Sequence, residues 1–122
     1  MTKILLVDDN DQHRTLYRHW FMVEFPRLEW SFAYPCPDVD ALAEYAIVVL
    51  DYELGDANGA EIANQLMQKH PNVRICILTG HDTAKIAREV PELPQEQILG
   101  KAELDEVCNR LKSLLLKWQV GA

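Results

Sequence analysis

Short, continuous apolar runs alternate along the chain with longer segments in which apolar residues recur every third or fourth position. A run of about four to eight apolar residues is typical of a β-strand buried on both faces. The three-to-four spacing is typical of an amphipathic helix. Segment 28–34 differs because its large residues alternate, which favours a half-buried or edge strand. The strands predicted in this way span residues 4–7, 28–34, 46–50, 73–78 and 97–99.

Five helices are predicted between and after these strands, at residues 10–24, 38–45, 60–70, 83–90 and 103–118. Pro26 and Pro71 end the first and third of them, because proline has no N–H for the helical hydrogen bond. Asp38 stands in the position of an N-cap. The side chains expected to face the core are Leu16, Tyr17, Trp20 and Phe21 in the first helix, Ala41, Leu42 and Tyr45 in the second, Ile62, Leu66 and Met67 in the third, and Leu104, Val107, Cys108, Leu111, Leu114, Leu115 and Trp118 in the last.

This alternation of strand and helix predicts the fold class. Five βα units in one chain imply an α/β protein whose mostly parallel sheet is covered by helices on both faces. Right-handed crossovers leave few topologies for such a chain. We expect one domain over residues 1–122, a flavodoxin-like, doubly wound three-layer sandwich with strand order 2-1-3-4-5. A ligand site in such a sheet lies beyond the carboxyl ends of the strands, where the first and third strands meet.

Net charge and cysteine spacing limit the kinds of partner and metal that the chain is expected to bind. The 122 residues carry a net charge of -7, which argues against direct binding to nucleic acid or to an anionic membrane. The three cysteines are scattered without metal-ligand spacing, and Cys76 and Cys108 are expected to be buried, inert thiols. The sequence shows neither a signal peptide nor an apolar run of membrane-spanning length, so we expect a cytoplasmic protein.

Polar residues follow four of the predicted strands, and the topology brings them to one crevice. Asp8 and Asp9 follow the first strand, Asp51 the third, Thr79 the fourth and Lys101 the fifth. Carboxylates placed about 4 Å apart repel each other by several kcal/mol at an effective dielectric of 20, unless a proton or a cation neutralises them. Hard carboxylate oxygens suit Mg²⁺, which also binds phosphate oxygens.

The same residues suggest phosphoryl chemistry. A carboxylate is a nucleophile toward phosphorus and forms an aspartyl phosphate. Asp51 ends the most apolar strand and is the expected acceptor, with Asp8 and Asp9 holding the metal. Lys101 is expected to pair with one phosphoryl oxygen and Thr79 to hydrogen-bond another.

At this point the sequence resembles a known family, the receiver domains of two-component response regulators. The matching segments are ILLVDDN at 4–10, VVLDYEL at 48–54, GDANG at 55–59, ILTG at 77–80 and ILGK at 98–101. The resemblance implies phosphorylation of Asp51 by a histidine kinase or a histidine phosphotransfer protein. It also implies Mg²⁺ at Asp8, Asp9 and Asp51, with the main-chain carbonyl of Glu53 as a further ligand. Thr79 would move toward the phosphoryl group and report its presence.

The resemblance also implies how the site is modulated and read. Glu53 and His81, with Gly80 beside them, would flank the path of the attacking water and tune self-dephosphorylation; the alternative is that they are exposed polar loop residues. The family usually has an aromatic switch residue where this chain has Ile98, and proline where it has Ala102. The resemblance implies a phosphorelay protein that catalyses only its own phosphorylation and dephosphorylation, signals to an unknown downstream effector, and has a homodimer as a possible form. Segment 8–14 (DDNDQHR) is most similar to receivers attached to, or fed by, hybrid kinases.

Other interpretations of these residues stay open at this stage. Asp9-Asn10-Asp11 is similar to the DxD start of a haloacid-dehalogenase-type Mg²⁺ phosphohydrolase, although the order of the later motifs differs. A degenerate receiver that serves only as a phosphorylation-independent docking module is the other alternative. His13, His19 and His70 are interpreted as surface or helix-end residues, because they lack the spacing of metal ligands with acidic partners.

Overall fold

A computed structural model describes residues 1–55, 57–101 and 103–120. Five parallel strands form one sheet in the order β2-β1-β3-β4-β5, which confirms the predicted fold class and strand order. The strands are β1 (Thr2–Val7), β2 (Leu28–Ala33), β3 (Ile47–Asp51), β4 (Arg74–Thr79) and β5 (Ile98–Gly100). The helices are α1 (Asp11–Glu24), α2 (Val39–Leu42), α3 (Gly59–Lys69), α4 (Thr83–Glu89) and α5 (Leu104–Trp118). A short 3₁₀ turn, Gln95–Gln97, precedes β5.

The central strand shows why the apolar runs are continuous. All five residues of β3 are buried, and the alternation of a strand sends successive side chains to opposite faces of the sheet. Ile47 and Val49 join the core layer that contains residues of α1 and α5. Val48 and Leu50 join the layer that contains residues of α2, α3 and α4. Both faces of the sheet are therefore covered by helices.

The structure corrects the predicted inward face of the first helix. Tyr17 and Phe21 are buried, with their rings stacked 5.3 Å apart, and Phe21 also stacks on Trp30 of the edge strand β2. Leu16 and Trp20, which we expected to face the core, are 47% and 39% exposed. The prediction for these two residues was wrong because the sheet contacts only one side of the helix, and the pair lies beside that contact. Leu104 and Trp118, at the two ends of α5, are partly buried and pack against this core layer.

The predicted boundaries shift by a few residues. The predicted helix 38–45 is the single turn α2, which begins after Asp38 as expected: the Asp38 carboxylate accepts a hydrogen bond from the N–H of Ala41 at 2.9 Å. In α3, Ala63 and Leu66 are buried, whereas Ile62 and Met67 are only partly buried.

Two boundary corrections matter for the site. Strands β3 and β4 each extend one residue further than predicted, so that Asp51 and Thr79 are the last residues of their strands. Their side chains are consequently positioned by the regular geometry of the sheet. Ala102, which stands where the family usually has proline, lies outside the described residues. None of the described helices has the length and apolar character needed to cross a membrane.

Candidate functional site

The predicted site residues lie together at the carboxyl ends of four strands. Asp8 and Asp9 directly follow β1, and Lys101 directly follows β5. With Asp51 and Thr79 they surround a crevice, as expected for this topology. The crevice contains an open cavity of about 460 Å³, lined by Asp9, Asn10, His13, Asp51, Tyr52, Glu53, Gly80, His81 and Lys101.

The three carboxylates form one cluster. Asp8, Asp9 and Asp51 each place an oxygen within 4.8 Å of the others. Asp8 is fully buried and Asp51 nearly so, whereas Asp9 is exposed to the cavity. The Lys101 ammonium lies 2.9 Å from Oδ2 of Asp51 and 3.9 Å from Oδ2 of Asp8. The Lys101 ammonium therefore contacts two of the three carboxylates, and its single positive charge does not balance the charge of the cluster.

Burial sets the proton affinity of the acceptor candidate. Burial raises the pKa of Asp51 to about 6, while the hydrogen bond and charge of Lys101 act in the opposite direction and Asp8 adds to the increase. A buried carboxylate that resists ionisation gains from any cation bound beside it. Asp51 is thus placed to ionise fully when a metal ion or a second ammonium is near.

Asp8 shows that the residues present fit a divalent cation. Its Oδ1 accepts a hydrogen bond from the N–H of Asn10 at 2.9 Å. Its Oδ2 is buried and accepts no hydrogen bond from any described residue. The nearest basic groups, His13 Nδ1 at 3.6 Å and the Lys101 ammonium at 3.9 Å, are beyond hydrogen-bond distance, so this buried oxygen gains from an ion that approaches it more closely. Oxygens of this kind are the ligands that Mg²⁺ prefers.

Thr79, Glu53 and His81 connect at the rim of the cavity. The Thr79 hydroxyl is buried and accepts a hydrogen bond from the N–H of His81 at 2.9 Å. The His81 ring contacts the Glu53 carboxylate, and this hydrogen bond lowers the pKa of Glu53. Both side chains are exposed, as the alternative of polar loop residues expects, and they pair with each other across the rim.

Residues on the side of α4 connect to the acceptor segment through Tyr52. The Tyr52 hydroxyl donates to the Glu89 carboxylate at 2.9 Å, and its ring contacts the His81 ring edge-on. Ile98 is buried in the core and has no polar group to offer. Contact between the acceptor segment and α4 therefore runs through Tyr52, at a position that the sequence did not single out.

Two further residues near the carboxylates were missed. His13 was interpreted as a surface residue, but its Nδ1 is buried and faces Oδ2 of Asp8 at 3.6 Å. The His13 side chain is 46% exposed in the first turn of α1, as expected of a surface or helix-end residue, and only its contact with Asp8 was missed. Arg14 donates from Nη1 to the main-chain oxygen of Asp8 at 2.6 Å. The available signal was their position in the first turn of a helix that directly follows the acidic pair.

Other histidine and cysteine predictions agree with the structure. His70 caps the end of α3, and its ring lies 2.9 Å from the Asp40 carboxylate, an acidic partner that the spacing did not reveal. Cys76 and Cys108 are buried, and burial raises the pKa of both thiols. These thiols are poorly suited to act as nucleophiles.

Comparison with known families identifies the chain. The sequence profile described as "Response regulator receiver domain" matches residues 4–112. The chain belongs to this family. A phosphohydrolase of the haloacid-dehalogenase type is not favoured by that match. No curated protein matched the receiver in a sequence search.

Solved structures with the same fold are receivers as well. One is the signal receiver domain of a DNA-binding response regulator from Colwellia psychrerythraea 34H, with TM-score 0.78, 20% identity, and coverage of 94% of this chain and 98% of that one. Another is the response regulator TrrA from Thermotoga maritima in complex with Mg²⁺ and BeF, with TM-score 0.74, 24% identity and coverage of 94% and 100%. A complex of the histidine kinase ThkA with TrrA matches with TM-score 0.74, 26% identity and coverage of 94% and 99%.

Proposed function

We propose that this receiver accepts a phosphoryl group on Asp51 from a histidine kinase or a histidine phosphotransfer protein, in a Mg²⁺-dependent reaction. The observation that carries the proposal is the environment of Asp51, whose buried carboxylate opens into the cavity between Lys101 and the Asp8–Asp9 pair. The TrrA complexes with Mg²⁺ and BeF and with ThkA support the same reaction class for a protein of this fold.

The proposed transfer follows from the groups in the cavity. A carboxylate oxygen of Asp51 bonds to phosphorus while the P–N bond of the donor's phosphohistidine breaks, and the bonding electron pair returns to the imidazole nitrogen. Bound Mg²⁺ would neutralise charge on the phosphoryl oxygens and the acceptor, held by Asp8, Asp9, Asp51 and the main-chain carbonyl of Glu53. Lys101, already 2.9 Å from Asp51, would contact a phosphoryl oxygen.

Thr79 would report the new group. Its hydroxyl now accepts the N–H of His81, and an aspartyl phosphate would offer it an acceptor for its own proton. Movement of Thr79 toward the phosphoryl group would break its hydrogen bond with the N–H of His81. The loop that carries Gly80 and His81, and that contacts Tyr52 through the His81 ring, would then loosen. The protein would then signal through protein–protein contacts, to a downstream effector or a second copy.

We further propose that the only reactions it catalyses are its own phosphorylation and dephosphorylation. Hydrolysis needs a water in line with the acyl phosphate, and the Glu53–His81 contact stands at the rim where that water enters. These two side chains are therefore the proposed modulators of the phosphoryl lifetime.

The acceptor assignment has a direct test. The purified chain is incubated with Mg²⁺ and a small phosphodonor such as phosphoramidate, and intact-mass spectrometry counts the added phosphoryl groups. One group is expected on the natural chain and none on Asp51→Asn. Asp82→Asn, at the exposed N-cap of α4, is the matched control and is expected to be labelled normally. Persistent labelling of Asp51→Asn would overturn the assignment.

One observation favours a second candidate, the phosphorylation-independent docking module. Ile98 is buried in the core at the position where the family usually has its aromatic switch, and it has no hydroxyl. Amide hydrogen exchange across α4 with and without Mg²⁺ and beryllofluoride distinguishes the two functions. Unchanged exchange despite beryllofluoride binding would favour the docking module.

A further inference from the structure

The guanidinium of Arg14 contacts the backbone of the acidic loop rather than one of its carboxylates. Its Nη1 donates to the main-chain oxygen of Asp8 at 2.6 Å, and its Nη2 lies 2.5 Å from the Asp11 carboxylate. The Arg14 side chain is 22% exposed, and its contact with the Asp8 carbonyl is partly buried, whereas the Asp11 side chain is 92% exposed. Hydrogen bonds from a guanidinium are stronger than those between neutral groups.

The carbonyl that Arg14 holds belongs to the peptide group between Asp8 and Asp9. The C=O of Asp8 and the N–H of Asp9 lie in one rigid plane. A change in ψ of Asp8 that is not offset by an opposite change in φ of Asp9 turns the two carboxylates relative to each other, and it also moves this carbonyl. Arg14 thus fixes the one peptide plane that lies between two of the proposed metal ligands.

The other anchors of this loop do not contact that carbonyl. The N–H of Asp8 donates to the oxygen of Ala33, and Oδ1 of Asp8 accepts from the N–H of Asn10. The first contact holds Asp8 to β2. The second spans the Asp8–Asp9 peptide group and restricts it, but neither contact is made to the carbonyl of that group. Among the described residues, Arg14 is the hydrogen-bond donor to that carbonyl.

We infer that Arg14 is a positioning residue for magnesium: it holds the Asp8–Asp9 peptide plane so that the carboxylates converge on the ion. The inference rests on the proposed function. Outer partners that orient metal ligands typically change metal affinity by about 10- to 100-fold when removed.

The sign of the effect separates positioning from simple electrostatics. Arg14 is a cation beside a cation site, so removing its charge alone would strengthen Mg²⁺ binding. Removing its hydrogen bond to the Asp8 carbonyl would weaken Mg²⁺ binding. The two explanations therefore predict opposite changes for the same substitution.

The test is a Mg²⁺ titration at constant ionic strength, followed by amide NMR shifts on the natural chain, Arg14→Met, Arg14→Lys and Arg18→Met. Arg18 lies one turn further along α1, where its guanidinium covers the Phe32 ring at 4.8 Å, so Arg18→Met removes the same charge without touching the loop. We expect about tenfold weaker binding in Arg14→Met, an intermediate loss in Arg14→Lys, and unchanged or slightly tighter binding in Arg18→Met.

A metal-free readout accompanies the titration. The carbonyl ¹³C shift of Asp8 and the amide ¹⁵N shift of Asp9 are expected to change in Arg14→Met and not in Arg18→Met. The same spectra show whether each variant is folded. If Arg14→Met is not folded, Arg14→Lys is compared with the natural chain instead. Binding in the Arg14 variants as tight as in the natural chain, or unchanged shifts at Asp8 and Asp9, would overturn the inference. Failure of the natural chain itself to bind Mg²⁺ would instead remove the proposed function, and this inference with it.

Discussion

Replacing Gly59 with alanine is expected to destabilise the receiver and to displace Asp51, the proposed acceptor. Gly59 is the first residue of α3 and donates its N–H to the oxygen of Tyr52 at 2.9 Å. A Cβ at this position would lie 2.3 Å from the main-chain oxygen of Asp51 and 3.1 Å from the Cα of Tyr52. These are backbone atoms of β3 and the residue after it, so rotation of a side chain cannot relieve the overlap.

The magnitude follows from three terms. Overpacking in a tight site costs about 1–3 kcal/mol. Loss of the hydrogen bond to Tyr52 adds about 1 kcal/mol. The higher helix propensity of alanine stabilises the folded protein by up to about 1 kcal/mol and offsets part of this loss. We therefore expect the free energy of unfolding to fall by about 1–4 kcal/mol, and the middle of this range lowers Tm by roughly 10 °C for a domain of this size.

Urea unfolding followed by tryptophan fluorescence measures this change. Gly100→Ala is the matched control, because a Cβ on Gly100 meets no described atom within 4 Å and its free energy of unfolding is expected to change by less than about 0.5 kcal/mol. The phosphodonor assay should also show slower labelling of Asp51 in Gly59→Ala. Equal stability of the two alanine variants would refute the close approach of α3 to the end of β3.

Further predictions concern titration and metal binding. Burial raises the pKa of Tyr17 from 10.0 to about 12, so the folded protein keeps this proton where the unfolded chain loses it. The free energy of unfolding should therefore fall by up to about 2–3 kcal/mol as the pH rises from 10 to 12. Urea unfolding of Tyr17→Phe over the same pH range should not show this fall. Burial also raises the pKa of Asp51 to about 6, so the ionised carboxylate destabilises the fold at pH 7.5. In urea titrations, Asp51→Asn should therefore raise the free energy of unfolding by about 1–3 kcal/mol at pH 7.5 but not at pH 4. Lys101→Met removes the group that opposes this rise, so the pKa of Asp51 measured by carboxyl ¹³C NMR should increase further, and an unchanged value would contradict the contact. Saturating Mg²⁺ should raise the Tm of the natural chain and not that of Asp9→Asn, and an equal rise in both would exclude Asp9 as a ligand.

The sequence alone determined the order of the elements and the place of the site. Apolar runs such as the one in β3 predict strands buried on both faces, because the side-chain period of a strand leaves no polar face in such a run. Once the topology is parallel, the residues at the strand ends must converge, whatever the details of packing. Asp51, Thr79 and Lys101 were therefore identifiable before any coordinates.

Only the tertiary structure decided which groups are desolvated and where side chains point. It made Asp8 the fully buried carboxylate and left its neighbour Asp9 in the open cavity, a difference that two adjacent aspartates in a sequence do not show. It turned Arg14 onto a main-chain carbonyl and brought Tyr52 to Glu89, which is 37 residues away. These contacts depend on the position and rotation of each helix on the sheet. A small rotation of a helix changes its contacts, whereas the sequence periodicity that predicts the helix stays the same.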